Sequence, residues 1–421
     1  MIPASSAPAR GMLKFQRAAV GLWALLDRCW VVMLITLVFA LTFSVARLDA
    51  LGGGPASFVV AGDQFVRVAA APAGLPVNHG PGYDGQFFYR LALRPWTHQR
   101  TEFGITFDEP AYRQQRIVYP LLSFVVARGA PPATAWALLG WNIAAAAALG
   151  WLGAALARRR NRHALWGLAF AAYPGFVLVI ARDLADALAA ALLLAGILAL
   201  ERQLPVLAAA ALTLAALTRE STLVMPLALA ALWAVDAIWR RSTVATMPGR
   251  PGSTASFASE RSRVQAVTFA VPLGVTLAWQ LVLWRAWGVA PIAQGSERLG
   301  LPFAGIWHFM RGVFQFGAFP LVVRLAELVF VVAAALATAW SLPRSRALRH
   351  EKLAWALGLL VAVLLSRSVW VEDWAFLRAL VEPYLLGTLV LLGRPDRRGL
   401  PIFAAGAVLC LSVAALHVRS L

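Results

Sequence analysis

One carboxylate and a small set of arginines are the side chains in this chain that most need a chemical reason for their positions. Asp84 lies in Gly80-Pro-Gly-Tyr-Asp-Gly-Gln-Phe-Phe-Tyr-Arg90, a polar, glycine-flexed stretch that follows the first membrane-length apolar run. Ionisable groups beside a bilayer are costly and mark function by default. That makes Asp84 the first candidate for a catalytic group, with Tyr83 and Arg90 as candidate substrate contacts; the alternative is that Asp84 and Gly85 simply form a bend. Arg113 and Arg116 follow in Tyr112-Arg-Gln-Gln-Arg-Ile-Val-Tyr-Pro120, and Arg219 and Arg378 stand at the ends of later apolar segments. A carboxylate can take the proton of an attacking hydroxyl. A guanidinium fork can bond two phosphate oxygens and absorb charge that develops on them. Asp84 is thus the expected proton acceptor, and Arg113, Arg116, Arg219 and Arg378 the expected phosphate-binding groups.

Further charges recur at segment ends. In Arg182-Asp-Leu-Ala-Asp186 the two carboxylates are three residues apart, a spacing that shares a helix face and could hold a divalent cation; equally, Asp183 could cap a helix whose first turn contains Asp186. Asp108-Glu-Pro110 reads as a helix start. Thr218-Arg-Glu-Ser221 and Glu372-Asp-Trp374 repeat the pattern of mixed charge, as catalytic or merely interfacial groups. Tyr83, Phe87, Phe88, Tyr89 and Trp96 are either sugar-stacking rings or an interfacial aromatic belt. His79 and His98 lack metal-ligand spacing. The two cysteines, Cys29 and Cys410, support neither a disulfide framework nor a thiolate site.

The elements that must position these groups are membrane helices. With 421 residues, 60% of them hydrophobic and 14% charged, and a mean hydropathy of +0.69, the chain has more apolar surface than one water-soluble core can hide. Apolar runs occur near 30–47, 133–157, 164–181, 184–200, 204–217, 222–239, 264–284, 319–342, 353–371, 379–392 and 401–418. The expected fold is therefore all-α, a polytopic bundle of 10–12 spans, with 204–217 and 379–392 short for a straight crossing. The net charge of +18 does not indicate nucleic acid, because the arginines form separate clusters on one expected membrane side. That bias places the amino terminus inside, with most carboxylates outside. Residues 1–29 form a cytoplasmic segment, whose stretch 15–26 reads equally as an amphipathic helix on the inner leaflet or as the ragged start of the first span, and 30–421 a single membrane domain. Within that domain 48–132 is a long outer loop containing short interfacial helices, with a re-entrant or interfacial helix expected over 117–127. A Ser/Thr/Pro/Gly-rich stretch at 240–263 reads as a flexible cytoplasmic linker.

The first-loop acid in Tyr83-Asp84-Gly85, the run Tyr112-Arg113-x-x-Arg116-x-x-Tyr119-Pro120 and the acids at later helix mouths resemble the GT-C class of integral membrane glycosyltransferases. Within that class the chain is similar to bacterial polyprenyl-phosphate-mannose-dependent mannosyltransferases. The resemblance implies an inner-membrane enzyme with an outer-face active site, a polyprenyl-phosphate sugar donor drawn from the membrane lipid, and an outer-loop Asp as base or metal ligand. It adds Tyr119 to the expected substrate contacts. Members of the class often carry an acidic pair in the first loop, whereas here Asp84 is followed by Gly85 and Gln86. The competing expectations are a transporter or lipid-sugar flippase, with charges near the bilayer midplane and paired broken helices, and a non-catalytic envelope scaffold.

Overall fold

Inside a bilayer every backbone polar group must find an internal partner, so long apolar runs become helices. The computed structural model describes residues 20–245, 254–315, 318–371, 375–396 and 399–419. About three-quarters of it is helical, and the only sheets among the described residues are two of two strands each. The protein is an all-α, multi-pass membrane bundle.

Six described helices are long and apolar enough to cross: Cys29–Leu51, Pro131–Arg159, Glu220–Trp239, Ala266–Trp287, Leu321–Ser341 and Leu400–His417. Ala164–Ala171 and Gly175–Ala181 make a seventh crossing if they are taken together, bent by 61°; Pro174 at the break disfavours a helical Tyr173 before it. The other expected crossings are shorter helices, Asp186–Glu201, Pro205–Thr218, Arg349–Leu364 and Val381–Leu392. With 16, 14, 16 and 12 residues they reach about 18–24 Å, less than the ~30 Å hydrocarbon core. Asp186–Glu201 and Val381–Leu392 are almost wholly buried by their neighbours. The continuous run expected over 353–371 instead breaks after Leu364, because the 298–303 loop takes over its hydrogen bonding: Gly300 donates to the Leu364 carbonyl and Ser366 to that of Arg298.

The 48–132 segment folds as short pieces. Gly85–Leu93, Pro110–Gln114 and Val118–Ala127 are helical, the last matching the short helix expected over 117–127. Of the amino-terminal amphipathic stretch, residues 20–26 are helical and expose Val20, Leu22 and Trp23; residues 1–19 lie outside the described residues. The stretch read as a flexible linker is helical to Ala245 and again from Thr254, with 246–253 outside the described residues. Ion pairs mark the two ends of the bundle. Asp84, Asp186, Arg219 and Arg378 are tied together at one end, and Arg160, Glu201 and Glu351 at the other.

Candidate functional site

The Asp84 segment reaches the bundle through its glycines. A Cβ on Gly85 would sit 2.3 Å from the Arg182 carbonyl oxygen and 2.6 Å from that of Val59, so only glycine lets the start of the Gly85–Leu93 helix rest on the 182–186 turn. Gly82, at φ +65°, approaches the Gly62 backbone as closely. Asp84 directly precedes the helix but makes no capping bond. Its carboxylate goes elsewhere: Oδ1 accepts from Arg113 at 2.6 Å and Oδ2 from Arg378 at 2.8 Å. The bend is the work of the glycines, and the side chain is left for the arginines.

From Asp84 the pairing spreads in both directions. Arg113, on Pro110–Gln114, also grips Asp108 with two donors, at 2.9 and 2.6 Å. Arg378, on Ala375–Ala379, reaches Asp186 at 3.3 Å. Asp186 pairs with Arg219 as well, and Arg219 lies 3.5 Å from Glu382, which accepts a hydrogen bond from Ser221 at 2.7 Å. Beside this chain Arg116 forks onto Glu220, at 2.9 and 2.5 Å, and donates to the Tyr112 hydroxyl. Tyr83 lays its ring 4.3 Å from the Arg182 guanidinium and 5.6 Å from that of Arg378. Four guanidiniums, Arg113, Arg116, Arg219 and Arg378, thus alternate with five carboxylates from well-separated parts of the chain. The solvent edge of the cluster is made by Glu220, with 32% of its side chain exposed, Asp108, with 24%, and Asp84, with 19%.

Burial alone would raise the Asp84 pKa, but Arg113, Arg378 and Arg116 outweigh it and hold the carboxyl well below the usual range. Burial would correspondingly weaken the charge on Arg378, yet Asp186 and Asp84 drive its pKa up. Arg113 and Arg116 are raised in the same way, by Asp84 and Asp108 in one case and Glu220 in the other. Asp84 is therefore held ionised at neutral pH, and Asp84 and Asp186 are each bound by two cations.

Three expected site residues are placed elsewhere. Arg90 is wholly buried, donates to the Gln99 and Arg100 carbonyls and stacks 3.6 Å from the Phe107 ring; it pins the 94–107 excursion rather than facing a substrate. The Tyr119 hydroxyl donates to the Leu138 carbonyl at 3.0 Å and accepts from Asn142 at 2.8 Å, inside the core. Asp183 and Asp186 do not share a helix face, because the helix begins only at Asp186. Asp183 has φ +48°, and Leu184 donates back to the Val179 carbonyl, so Asp183 fills the left-handed position that closes the preceding helix. Its buried carboxylate lies near Asn142 and Arg47, but burial outweighs both and pushes its pKa well above the usual range. Nor does it cap the next helix, whose N-cap is Ala185. As a pair of metal ligands the two acids fail: Asp186 is spent on two arginines and Asp183 faces another way. Among the described residues no group of three or more His, Cys, Asp or Glu side chains could hold a metal ion. Asp108-Glu109-Pro110 does start a helix, with Pro110 in its first turn, while Asp108 binds Arg113 and Glu109 binds Arg298 at 2.6 Å. Glu372, Asp373 and Trp374 lie outside the described residues.

Sequence reasoning missed Glu382, hidden in the apolar run 379–392, although an acid inside a membrane segment is itself a signal. It also missed Tyr112 and Asn142, whose roles depend on partners more than 20 residues away. No family model, no curated protein and no solved structure matches this chain.

Proposed function

We propose that this protein is a membrane glycosyltransferase of the GT-C type, moving a sugar from a polyprenyl-phosphate donor to a lipid, glycan or protein acceptor on the extracytoplasmic face of a bacterial inner membrane. The observation that carries this reading is Asp84, a part-exposed carboxylate held between two guanidiniums, Arg113 and Arg378. Acceptor hydroxyls are weak nucleophiles, and a carboxylate that takes the proton as the anomeric bond opens lowers the barrier. The departing phosphate needs cations. Both needs meet at one place, and they compete: while Arg113 and Arg378 neutralise Asp84, its basicity is low. A donor phosphate drawing Arg378 or Arg113 to itself leaves Asp84 with fewer cations and raises its basicity when the acceptor must be deprotonated. Arg116 and Arg219 hold Glu220 and Asp186 beside it, and Tyr83 offers a ring for the sugar. The one-sided arginine clusters set the orientation, amino terminus inside and Asp84 outside.

The test is transfer by the purified chain from a radiolabelled polyprenyl-phosphate sugar to extracted acceptor lipids and proteins. Wild type should transfer, and Arg116→Ala should raise the donor KM; no transfer to any acceptor class would sink the reading. Cysteines placed at 84 and 246 should label from opposite sides of sealed vesicles, and labelling from the same side would overturn the orientation.

A second reading, a transporter, is favoured by Glu327. This acid is wholly buried within the Leu321–Ser341 crossing, and among the described residues neither of its carboxylate oxygens has a hydrogen-bond partner; buried intramembrane acids often mark ion or substrate paths. Uptake of a lipid-linked sugar into proteoliposomes, abolished by Glu327→Gln while transfer chemistry is absent, would decide for it.

A further inference from the structure

The end of the bundle away from Asp84 holds a cleft that the transfer reading does not use. Asp186–Glu201 and Pro205–Thr218 have 16 and 14 residues, or about 24 and 21 Å. The Asp186–Arg219 ion pair keeps their far ends level, so the turn joining them at 202–204 stops short of the ~30 Å needed to cross the hydrocarbon core. Their neighbours continue: Pro131–Arg159 has 29 residues and Val224–Ala245 has 22. Where the short pair ends there is a cleft of about 710 Å³, lined by residues of that turn together with others from 229–236, 268–269 and 346–351. That size is ample for a small amphiphile, since ligand sites commonly run to about 300–1,000 Å³.

The lining is divided by chemistry. Leu204, Leu229, Trp233 and Phe269 form an apolar wall, with the two rings 5.6 Å apart. Opposite them the acids are already neutralised: Arg160 bridges Glu201 at 2.7 Å and Glu351 at 2.5 Å, and Arg159 lies 2.9 Å from Glu201. Arg346 and Arg349 are exposed at the rim. Arg349 pairs loosely with the half-exposed Asp236, at 3.6 Å, a kind of pair worth little. His350 also lines the cleft, and among the described residues its buried Nε2 has no hydrogen-bond partner.

We propose that this cleft binds one anionic membrane phospholipid, its headgroup phosphate between Arg346 and Arg349 and its acyl chains along the Trp233–Phe269 wall. Two independent features agree on the ligand. The recess lies at the end of two helices too short for the bilayer, where lipid must fill the mismatch. Its rim carries cations whose acids are either buried and already paired or weakly held, which selects an anionic headgroup over a zwitterionic one. The site does not depend on what the Asp84 cluster does.

The experiment uses the full chain, purified in detergent and stripped of lipid, with native mass spectrometry and thermal melting as readouts. Phosphatidylglycerol should stay bound at one per chain and raise the Tm by several degrees, and phosphatidylcholine should do neither. The double variant Arg346→Ala/Arg349→Ala should bind phosphatidylglycerol at least 10-fold more weakly, whereas Arg67→Ala, an exposed arginine of the outer loop, should bind as wild type. Equal binding of the two lipids, wild-type binding by the double variant, or the same Tm gain from free glycerol phosphate would overturn the proposal. Should the double variant fail to fold, wild-type protein can be crosslinked with a photoactivatable phosphatidylglycerol and the adducts mapped. Adducts on peptides containing Leu204, Trp233 or Arg349 support the site, and adducts confined to other regions overturn it.

Discussion

Both ends of the bundle are held by arginine–carboxylate networks, but they are built for different things. At the Asp84 end the acids sit between cations: Asp84 bridges Arg113 and Arg378, and Asp186 bridges Arg378 and Arg219. At the other end Arg160 sits between two acids, Glu201 and Glu351, and further arginines project past them into an open cleft. The first arrangement keeps its central carboxylate ionised and, while the cations are in place, weakly basic. The second uses up its acids in the floor and leaves positive charge at the rim. Arginine content alone would not distinguish the ends; which partner is buried does.

Removing the central acid should produce the largest effect. Asp84→Asn keeps size and some hydrogen bonding but cannot accept a proton, so transfer should fall by about 10² to 10⁴. If Asp84 were only a bend former, Asn would serve equally, and wild-type turnover by a normally expressed Asn variant would end its catalytic assignment. Next in size is Arg378→Ala, which strips a cation at once from the buried Asp186 and the part-exposed Asp84. Breaking a buried pair typically costs about 3–5 kcal/mol, so the variant should melt well below wild type. The matching change at the other end, Arg349→Ala, removes a pair whose arginine is 71% exposed and should cost under about 1 kcal/mol. Equal losses of Tm from the two variants would erase the contrast between the ends.

A smaller effect concerns pH. Asp183 has a raised pKa in the fold, so between the unfolded value of about 3.9 and the folded one the native state holds a proton that the unfolded chain has lost. Stability from this group is complete below the unfolded pKa and declines as pH rises through that window. Asp183→Asn removes the dependence, so the variant should gain in Tm relative to wild type between pH 5 and pH 8. A difference that does not change with pH would mean that Asp183 is ionised in the fold. Asp84 behaves oppositely: its depressed pKa keeps it charged throughout that range, and its contribution to stability is lost only in acid.

Much of this was legible in the chain. Apolar runs fall into helices because a bilayer leaves the backbone no other partner, and 204–217 and 379–392 are short as expected, but 184–200 and 353–371 also give helices of only 16 residues. Asp84, Arg113, Arg116, Arg219 and Arg378 could be chosen from residue type and position alone, since charge near a membrane is costly wherever the chain places it. What the chain could not disclose is who faces whom. Arg90 and Tyr119 have the same residue types and the same loop as the cluster, yet their side chains turn into the core, and Asp183 parts from Asp186 because a left-handed residue ends one helix before the next begins. Glu382 joins the cluster from within an otherwise apolar segment. A pattern along one strand of sequence specifies helices and their ends, because those depend on near neighbours. The site depends on Asp84 meeting Arg378, 294 residues away, and such a meeting is decided only when the helices pack and each buried charge must find a partner.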